Sequence, residues 1–280
     1  MEFSSYTFDK LKRFWKILID LENNIEKVEE YIDQIDFHVI PKKFDNETSD
    51  SQAILNCYNE EKYKIDTLNI LFQGPIELHL ISFYWILKYG KMLQNSYKEY
   101  NYANKLHDNA AKIDDNTSKS FIPYFEQYTL WRDKGIKKAQ QAYKRNTSSA
   151  ILMLDVSSYY YSVDFDFEVL NNFFRKKLNA KDFNEYQEIT KIIKKIFIKY
   201  NEEISDNVDK INGSLKVTEN QLTLPIGLEI SSLFANFYLK ELDEIIADEI
   251  KPLYYGRYVD DIMIVLPETS LKKFNESSNI

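Results

Sequence analysis

Apolar residues in the first half of the chain recur at the three- and four-residue intervals of amphipathic helices. Side chains with this spacing share one face of a helix, so each such stretch predicts a helix that packs against a core. Polar stretches between them predict loops. We therefore expect residues 1–148 to form a mainly helical N-terminal region. The predicted helices span residues 5–35, 76–99 and 124–145, and the predicted loops lie at 45–51 and 107–120.

The pattern changes at Ser149. The residues AILMLD form a short apolar run that ends in an acid, which predicts a buried β-strand. Asn212-Gly213, within the alternating stretch SLKVTENQLTLP, predicts a hairpin, and PLYYGRYVDDIMIVLPE reads as strand, tight turn and strand. Helical spacing returns over residues 166–203 and 228–250. On the second of these helices we expect Ser231 and Asn236 to lie nearer the cleft, and the apolar residues to face the core: Leu233, Phe234, Phe237, Leu239, Leu242, Ile245 and Ile246. This order of elements predicts an α+β fold, with a second region at residues 149–280.

Composition and charge narrow the class of protein. The chain has 280 residues and one cysteine, which excludes a disulfide framework within it and disfavours a cysteine-based zinc site. No signal-peptide core and no apolar run long enough to span a bilayer is visible, so we expect a cytoplasmic protein without a membrane segment. The net charge of −8 is unusual for a simple nucleic-acid binder. Most of this acid excess lies in residues 146–280.

Three aspartates carry the candidate chemistry. Asp260 and Asp261 are adjacent in a turn between apolar strands, where two like charges repel and burial penalises both. A divalent cation removes that cost, and Mg²⁺ prefers carboxylate oxygens. Asp155 ends the strand predicted after Ser149, and alone it is typical of a turn or cap. If the strands are neighbours, the three carboxylates can hold two Mg²⁺ ions for an in-line phosphoryl displacement.

These residues lie in segments that resemble the motifs of reverse transcriptases. LDVSSYYYSV resembles motif A, LPIGLEISSLFANFYL resembles motif B and YVDD resembles motif C, in the family's order over residues 149–267. The resemblance implies a palm, an antiparallel sheet backed by helices, that follows a mainly helical fingers region. It also implies an RNA-directed DNA polymerase that uses dNTPs and an RNA or DNA template and primer. Two Mg²⁺ ions, or Mn²⁺, would be held by Asp155, Asp260, Asp261 and the backbone carbonyl of Val156.

The resemblance also implies a nucleotide pocket. Tyr160 matches the aromatic gate that excludes a 2′-hydroxyl sterically, and Gly227 lets the backbone approach the incoming nucleotide because glycine has no Cβ. Ile226 stands where many relatives have glutamine, so template reading can differ, and Tyr258 is placed in the same pocket. A basic strip on the predicted helix 124–145 is either a solvated face or a contact to the phosphate backbone. It consists of Lys134, Lys137, Lys138 and Arg145.

Segments outside the three motifs resemble the abortive-infection and defence-associated reverse transcriptases of bacteria. They are QGPIELHLISFYWILKYG, YANKL and YFEQYTLWRDKGIKKA, together with LPIG. The residues after motif C leave no room for motif D or a thumb, so we expect the thumb to be absent from this chain. Three alternatives follow: the gene product is longer than this chain, a further polypeptide supplies the rest, or the protein is not an active polymerase. The sequence is also compatible with an oligomer. The fingers β-hairpin has one candidate strand, Phe37–Phe44.

Three readings follow. The first is a DNA polymerase of the reverse-transcriptase class that serves antiphage defence, with or without a template. The second is a catalytically idle palm that acts as a binding or assembly subunit, which the missing thumb favours. The third is a mobile-element enzyme such as a retron or group II intron reverse transcriptase. Metal-dependent nucleotide incorporation separates the first reading from the second.

Overall fold

The computed structural model describes residues 25–44, 65–97, 100–107, 121–207 and 221–268. Several predictions fall outside this part of the chain: most of the helix predicted at 5–35, both predicted loops except for residue 107, and the Asn212-Gly213 turn. The N-terminal elements are α1 (Ile25–Ile32), β1 (Asp36–Phe44), β2 (Ile65–Gln73), α2 (Ile76–Trp85), a π-helical turn (Ile86–Gly90), α3 (Lys91–Gln94) and α4 (Tyr124–Lys144). The following elements are β3 (Ser149–Leu154), α5 (Tyr159–Ser162), α6 (Phe167–Arg175), α7 (Ala180–Asn207), α8 (Glu229–Tyr238), α9 (Lys240–Ile245), a second π-helical turn (Ile246–Ile250), β4 (Tyr254–Tyr258) and β5 (Asp261–Pro267).

The described strands form two antiparallel sheets, which confirms the α+β class. β1 and β2 form a two-stranded sheet, so the candidate strand Phe37–Phe44 does belong to a hairpin pairing. The second sheet has the order β3-β5-β4 and therefore places β5 at its centre. In this sheet β3 and β5 pair from Ser149 to Leu154, and β4 and β5 form the predicted strand–turn–strand.

Helical segments pack on both faces of β4 and β5 in the three-stranded sheet. On one face Trp131 of α4 packs with Tyr254, Met263 and Val265, because alternate residues of each strand point to the same side. On the other face Ile246, in the turn that follows α9, packs with side chains of β4 and β5. The strands β4 and β5, which flank the turn with Asp260 and Asp261, are therefore packed on both faces.

The largest core lies among helices α2, α6, α7 and α8. Trp85 of α2 is fully buried, contacts Phe174 and Phe234 edge-on, and donates its indole N–H to Thr190 Oγ1 at 2.9 Å. The apolar ring of Trp85 is thus removed from water while its indole N–H keeps a hydrogen-bond partner. This core holds α8, the helix of the predicted motif B, in place behind the three-stranded sheet.

Two sequence predictions about burial are wrong. β3 is a strand, but its side chains from Ile151 to Leu154 are between 41 and 52% exposed. β3 lies at the edge of the sheet, and the apolar clusters on the two faces pack on β4 and β5 instead. The helix predicted over 228–250 breaks at Leu239, which changes the rotation of the turns that follow. Ile245, predicted to face the core, is consequently 51% exposed.

Candidate catalytic site

The register of the three-stranded sheet brings the three aspartates to one end of it. The β3–β5 ladder ends with the pair Leu154 and Ile262, so Asp155 and Asp261 are the next residues at that end, and the charge of Asp155 acts on Asp261. Tyr258 pairs with Asp261, which leaves Val259 and Asp260 as the two residues of the turn. Two adjacent strands and one tight turn therefore gather Asp155, Asp260 and Asp261 from positions about a hundred residues apart.

Burial and nearby negative charge both act on the two carboxylates of the turn. Burial raises the pKa of Asp260, and the charges of Asp261 and Asp155 raise it further, against lowering contributions from its own backbone and from Lys42. Burial also raises the pKa of Asp261, and Asp155 again adds to it. In the absence of a cation, the folded protein therefore disfavours the charged form of both groups.

This donor set fits a divalent cation. All three side chains offer hard carboxylate oxygens, which Mg²⁺ and Mn²⁺ prefer, and a cation would remove the repulsion that raises the two pKa values. Within the described ranges, no three His, Cys, Asp or Glu side chains stand close enough to form a preformed metal cluster. Mg²⁺ commonly takes only one or two carboxylates together with substrate phosphates, so such a partial set is adequate for it.

The turn that carries Asp260 has an unusual backbone. Val259 adopts a φ of +56°, in the left-handed region that favours glycine. A positive φ at the first central residue is the geometry of the tight hairpin turns that match the strand twist. A β-branched residue there is an outlier, and such strain costs on the order of 1–3 kcal/mol. The surrounding structure must therefore hold this turn in place.

Arg257 lies directly behind the turn and is fully buried. Its Nε and Nη2 donate to the two carboxylate oxygens of Asp243, each at 2.8 Å. Its Nη1 and Nη2 donate to the side-chain and backbone oxygens of Asn236, both at 3.2 Å. The Nη1 group also donates to the carbonyl oxygen of Val259, with a distance of 2.8 Å between nitrogen and oxygen. All five N–H donors of the guanidinium are thus used.

The sequence reasoning missed this buried network. Asn236 was expected nearer the cleft with Ser231, yet both are buried, and Asn236 also donates to the carbonyl of Ala103. Asp243 is 2% exposed and additionally accepts a hydrogen bond from the Tyr255 hydroxyl. The available signal was Arg257 itself, because a charge within the apolar strand YYGRY requires a buried partner.

Tyr160 stands beside the carboxylates. It is half-buried on α5, and burial followed by the charge of Asp260 raises its pKa. The neighbouring Tyr159 anchors α5, since its hydroxyl donates to the carbonyl of Ala235 in α8 at 2.6 Å. Val156 is half-buried between Asp155 and α5 and packs against the main core.

The other nucleotide-pocket candidates lie on two further segments. Phe72 of β2 donates its N–H to the carbonyl of Ile226 at 2.7 Å, so the β1–β2 sheet is tied to the motif B loop. Gly227 is exposed and has a φ of +100°, so its backbone conformation rather than lack of space calls for glycine. The ring of Tyr258 packs against α4, 5.3 Å from the ring of Tyr128.

Basic residues lie in two different places. Lys134, Lys137 and Lys138 line a cavity of about 480 Å³ with Tyr254, at the end of β4 opposite to the turn, and Arg145 is exposed where α4 ends. The structure therefore does not bring the predicted basic strip to the aspartates.

Lys42 on β1 is the cation whose charge acts on Asp260. It occupies an irregularity of the β1–β2 register, between the pairs made by Pro41 and Lys43, and is exposed. Such bulges re-aim side chains near active sites. The sequence offered only the strand Phe37–Phe44 as a pointer to it.

Comparisons with known proteins bear on these residues. The family model of the reverse transcriptase (RNA-dependent DNA polymerase) domain matches residues 88–275, a range that includes the three aspartates and the network around Arg257. No curated protein matches the chain. Among the described helices, none has the length and apolar character required to cross a bilayer. The chain belongs to the reverse transcriptase family, the RNA-directed DNA polymerases.

Proposed function

We propose that this polymerase extends a DNA strand by a two-Mg²⁺ mechanism in which Asp155, Asp260 and Asp261 hold the ions. The observation that supports the proposal is the β3–β5 register, whose last pair, Leu154 and Ile262, directly precedes Asp155 on one strand and follows Asp261 on the other. The raised pKa values of Asp260 and Asp261 support it, because a site of repelling carboxylates gains from a bound cation. The carbonyl of Val156 is a further oxygen donor next to Asp155.

The roles of the protein groups follow from their positions. Bound Mg²⁺ would neutralise the phosphoryl oxygens and favour ionisation of the attacking 3′-hydroxyl. Tyr160, beside Asp260, would exclude a 2′-hydroxyl, and Gly227, Ile226 and Tyr258 would line the nucleotide pocket. The strained turn keeps the carboxylates aimed before substrate arrives, which reduces the reorganisation needed at the moment of reaction.

Lys42 would bind the triphosphate of the incoming nucleotide. The charge of Lys42 acts on Asp260, which supports a place for it near the metal site. Lysine is a suitable ligand for phosphate because it is a compact point charge on a flexible stem. The β1–β2 sheet, tied to the motif B loop at Ile226, would carry it as a fingers hairpin.

The proposed biological role is bacterial antiphage defence, by templated or untemplated DNA synthesis. Its support is the resemblance of the segments around YANKL and LPIG to the defence-associated enzymes, which also argues against a mobile-element origin. The second candidate function is an idle palm that assembles with another polypeptide or with further copies of the chain. The exposed apolar side chains of β3 favour that candidate, since a large exposed apolar patch often marks a binding surface.

A combined extension and melting experiment tests the proposal. Wild type and Asp260→Asn are assayed for dNTP incorporation on a primed template, and their melting temperatures are measured with and without Mg²⁺ and dNTP. We expect incorporation and Mg²⁺-linked stabilisation only in the wild type. A wild type that neither incorporates nucleotide nor gains stability from Mg²⁺ would support the assembly subunit instead.

A further inference from the structure

The turn that presents Asp260 is held from behind by one side chain. Val259 has the strained φ of +56°, and the Nη1 of Arg257 donates to its carbonyl at 2.8 Å. That carbonyl belongs to the peptide that leads into Asp260. Its hydrogen bond therefore fixes the orientation of the peptide plane from which the carboxylate projects.

We infer that Arg257 is a positioning residue that locks the strained turn in its metal-binding conformation. The inference rests on the proposed function, because it takes Asp260 and Asp261 as metal ligands. Arg257 does not reach substrate in this role. It acts through Val259 and sets the direction of the two carboxylates that follow.

Arg257 can hold the turn rigidly because the rest of its guanidinium is bound to two helices. Asp243 lies on α9 and binds the guanidinium through both oxygens, while Asn236 on α8 accepts from it twice. Asn236 is itself tied to the carbonyl of Ala103. Arg257 thus connects the turn to two helices behind the sheet, so the position of the turn does not depend on its own hairpin alone. Because all five N–H donors of Arg257 are already used, a shift of the Val259 carbonyl would break at least one hydrogen bond of the guanidinium.

An alternative role is purely structural, since a buried ion pair also stabilises the fold around it. The two roles differ in how they depend on the strain at Val259. If Arg257 offsets that strain, glycine at position 259 lessens the need for it, because glycine adopts a positive φ at no steric cost. If Arg257 serves only the fold, the residue at position 259 does not alter the effect of changing it.

A double-mutant cycle separates these roles. Arg257→Lys keeps the charge opposite Asp243 but lacks the fork that reaches Asn236 and Val259 together. We expect it to lower the kcat of primer extension with Mg²⁺ and dNTPs by roughly tenfold or more, with the dNTP KM changed by less than about threefold. Val259→Gly should reduce the size of this effect. Val259→Ala, which removes the branched side chain and keeps the strain, should not.

Hydrogen exchange gives a readout that does not need an active enzyme. Arg257→Lys should accelerate amide exchange at residues 258–261, and Tyr255→Phe should not, although it removes a hydroxyl from Asp243 and lowers the melting temperature. Strictly additive effects of positions 257 and 259, or unchanged exchange at the turn in folded Arg257→Lys, would overturn the inference. If Arg257→Lys does not fold, exchange at the turn in Asn236→Ala replaces it, with the same expected increase. An inactive wild type would count against the proposed function and leave the exchange test standing.

Discussion

The same substitution, aspartate to asparagine, should have opposite effects on stability at the buried Asp243 and the half-buried Asp260. Asp243 is 2% exposed and is the ionic partner of the fully buried Arg257. Removing one partner of a buried ion pair costs about 3–5 kcal/mol, because the other charge stays buried without compensation. Asparagine keeps one acceptor oxygen, so we expect Asp243→Asn to cost about 3 kcal/mol, near the lower end of that range.

Asp260, by contrast, has other carboxylates near it. It lies close to Asp261 and Asp155, and burial and these charges raise its pKa, so its ionised form opposes folding in metal-free protein. Neutralising it should stabilise the metal-free protein by about 1 kcal/mol, the scale of a partly screened pair of like charges. The gain should be greatest near pH 7. It should shrink as the pH falls through the raised pKa of Asp260, where the wild-type carboxyl takes up its own proton.

Thermal unfolding in EDTA measures both effects in one experiment. For a domain of this size, 1 kcal/mol corresponds to about 2–4 °C, so Asp243→Asn should melt about 6–12 °C lower and Asp260→Asn about 2–4 °C higher than wild type. Adding Mg²⁺ and dNTP should stabilise the wild type and Asp243→Asn, and reverse the advantage of Asp260→Asn. If Asp243→Asn melts at or above the wild-type temperature, the reasoning about the Arg257 ion pair is refuted.

Three further outcomes test the remaining assignments. Tyr160→Ala should relax discrimination against ribonucleotides while dNTP use persists, and an unchanged incorporation ratio in an active variant would make Tyr160 a packing residue only. Lys42→Ala should raise the KM for dNTPs several-fold, whereas Lys43→Ala, its neighbour on β1, should not; equal effects would contradict a specific triphosphate contact. Replacing Lys134, Lys137 and Lys138 together by glutamine should weaken template–primer binding and flatten its salt dependence if the strip contacts phosphates, and an unchanged salt slope identifies a solvated face.

Local pattern alone determined much of the outline of the fold. The helix α4 and the strands β3, β4 and β5 lie where the spacing of apolar residues predicted them, because a helix face and a strand face have different periods. The tight turn at Val259-Asp260 was visible because two apolar strands flank it. The resemblance of three ordered motifs to reverse transcriptases was likewise present in the sequence, and the family match confirms it.

The tertiary structure determines which of these distant segments lie next to each other. Only the β3–β5 register brings the end of β3, which precedes Asp155, to the strand that begins at Asp261. Only the order of the strands leaves the apolar side chains of β3 half-exposed at an edge. Arg257 could be recognised in the sequence as a charge that requires a partner. Its partners Asp243 and Asn236 lie on helices that approach it through packing, which no local period encodes. Local patterns specify elements because neighbouring residues share one backbone geometry, whereas the site depends on contacts between elements far apart along the chain.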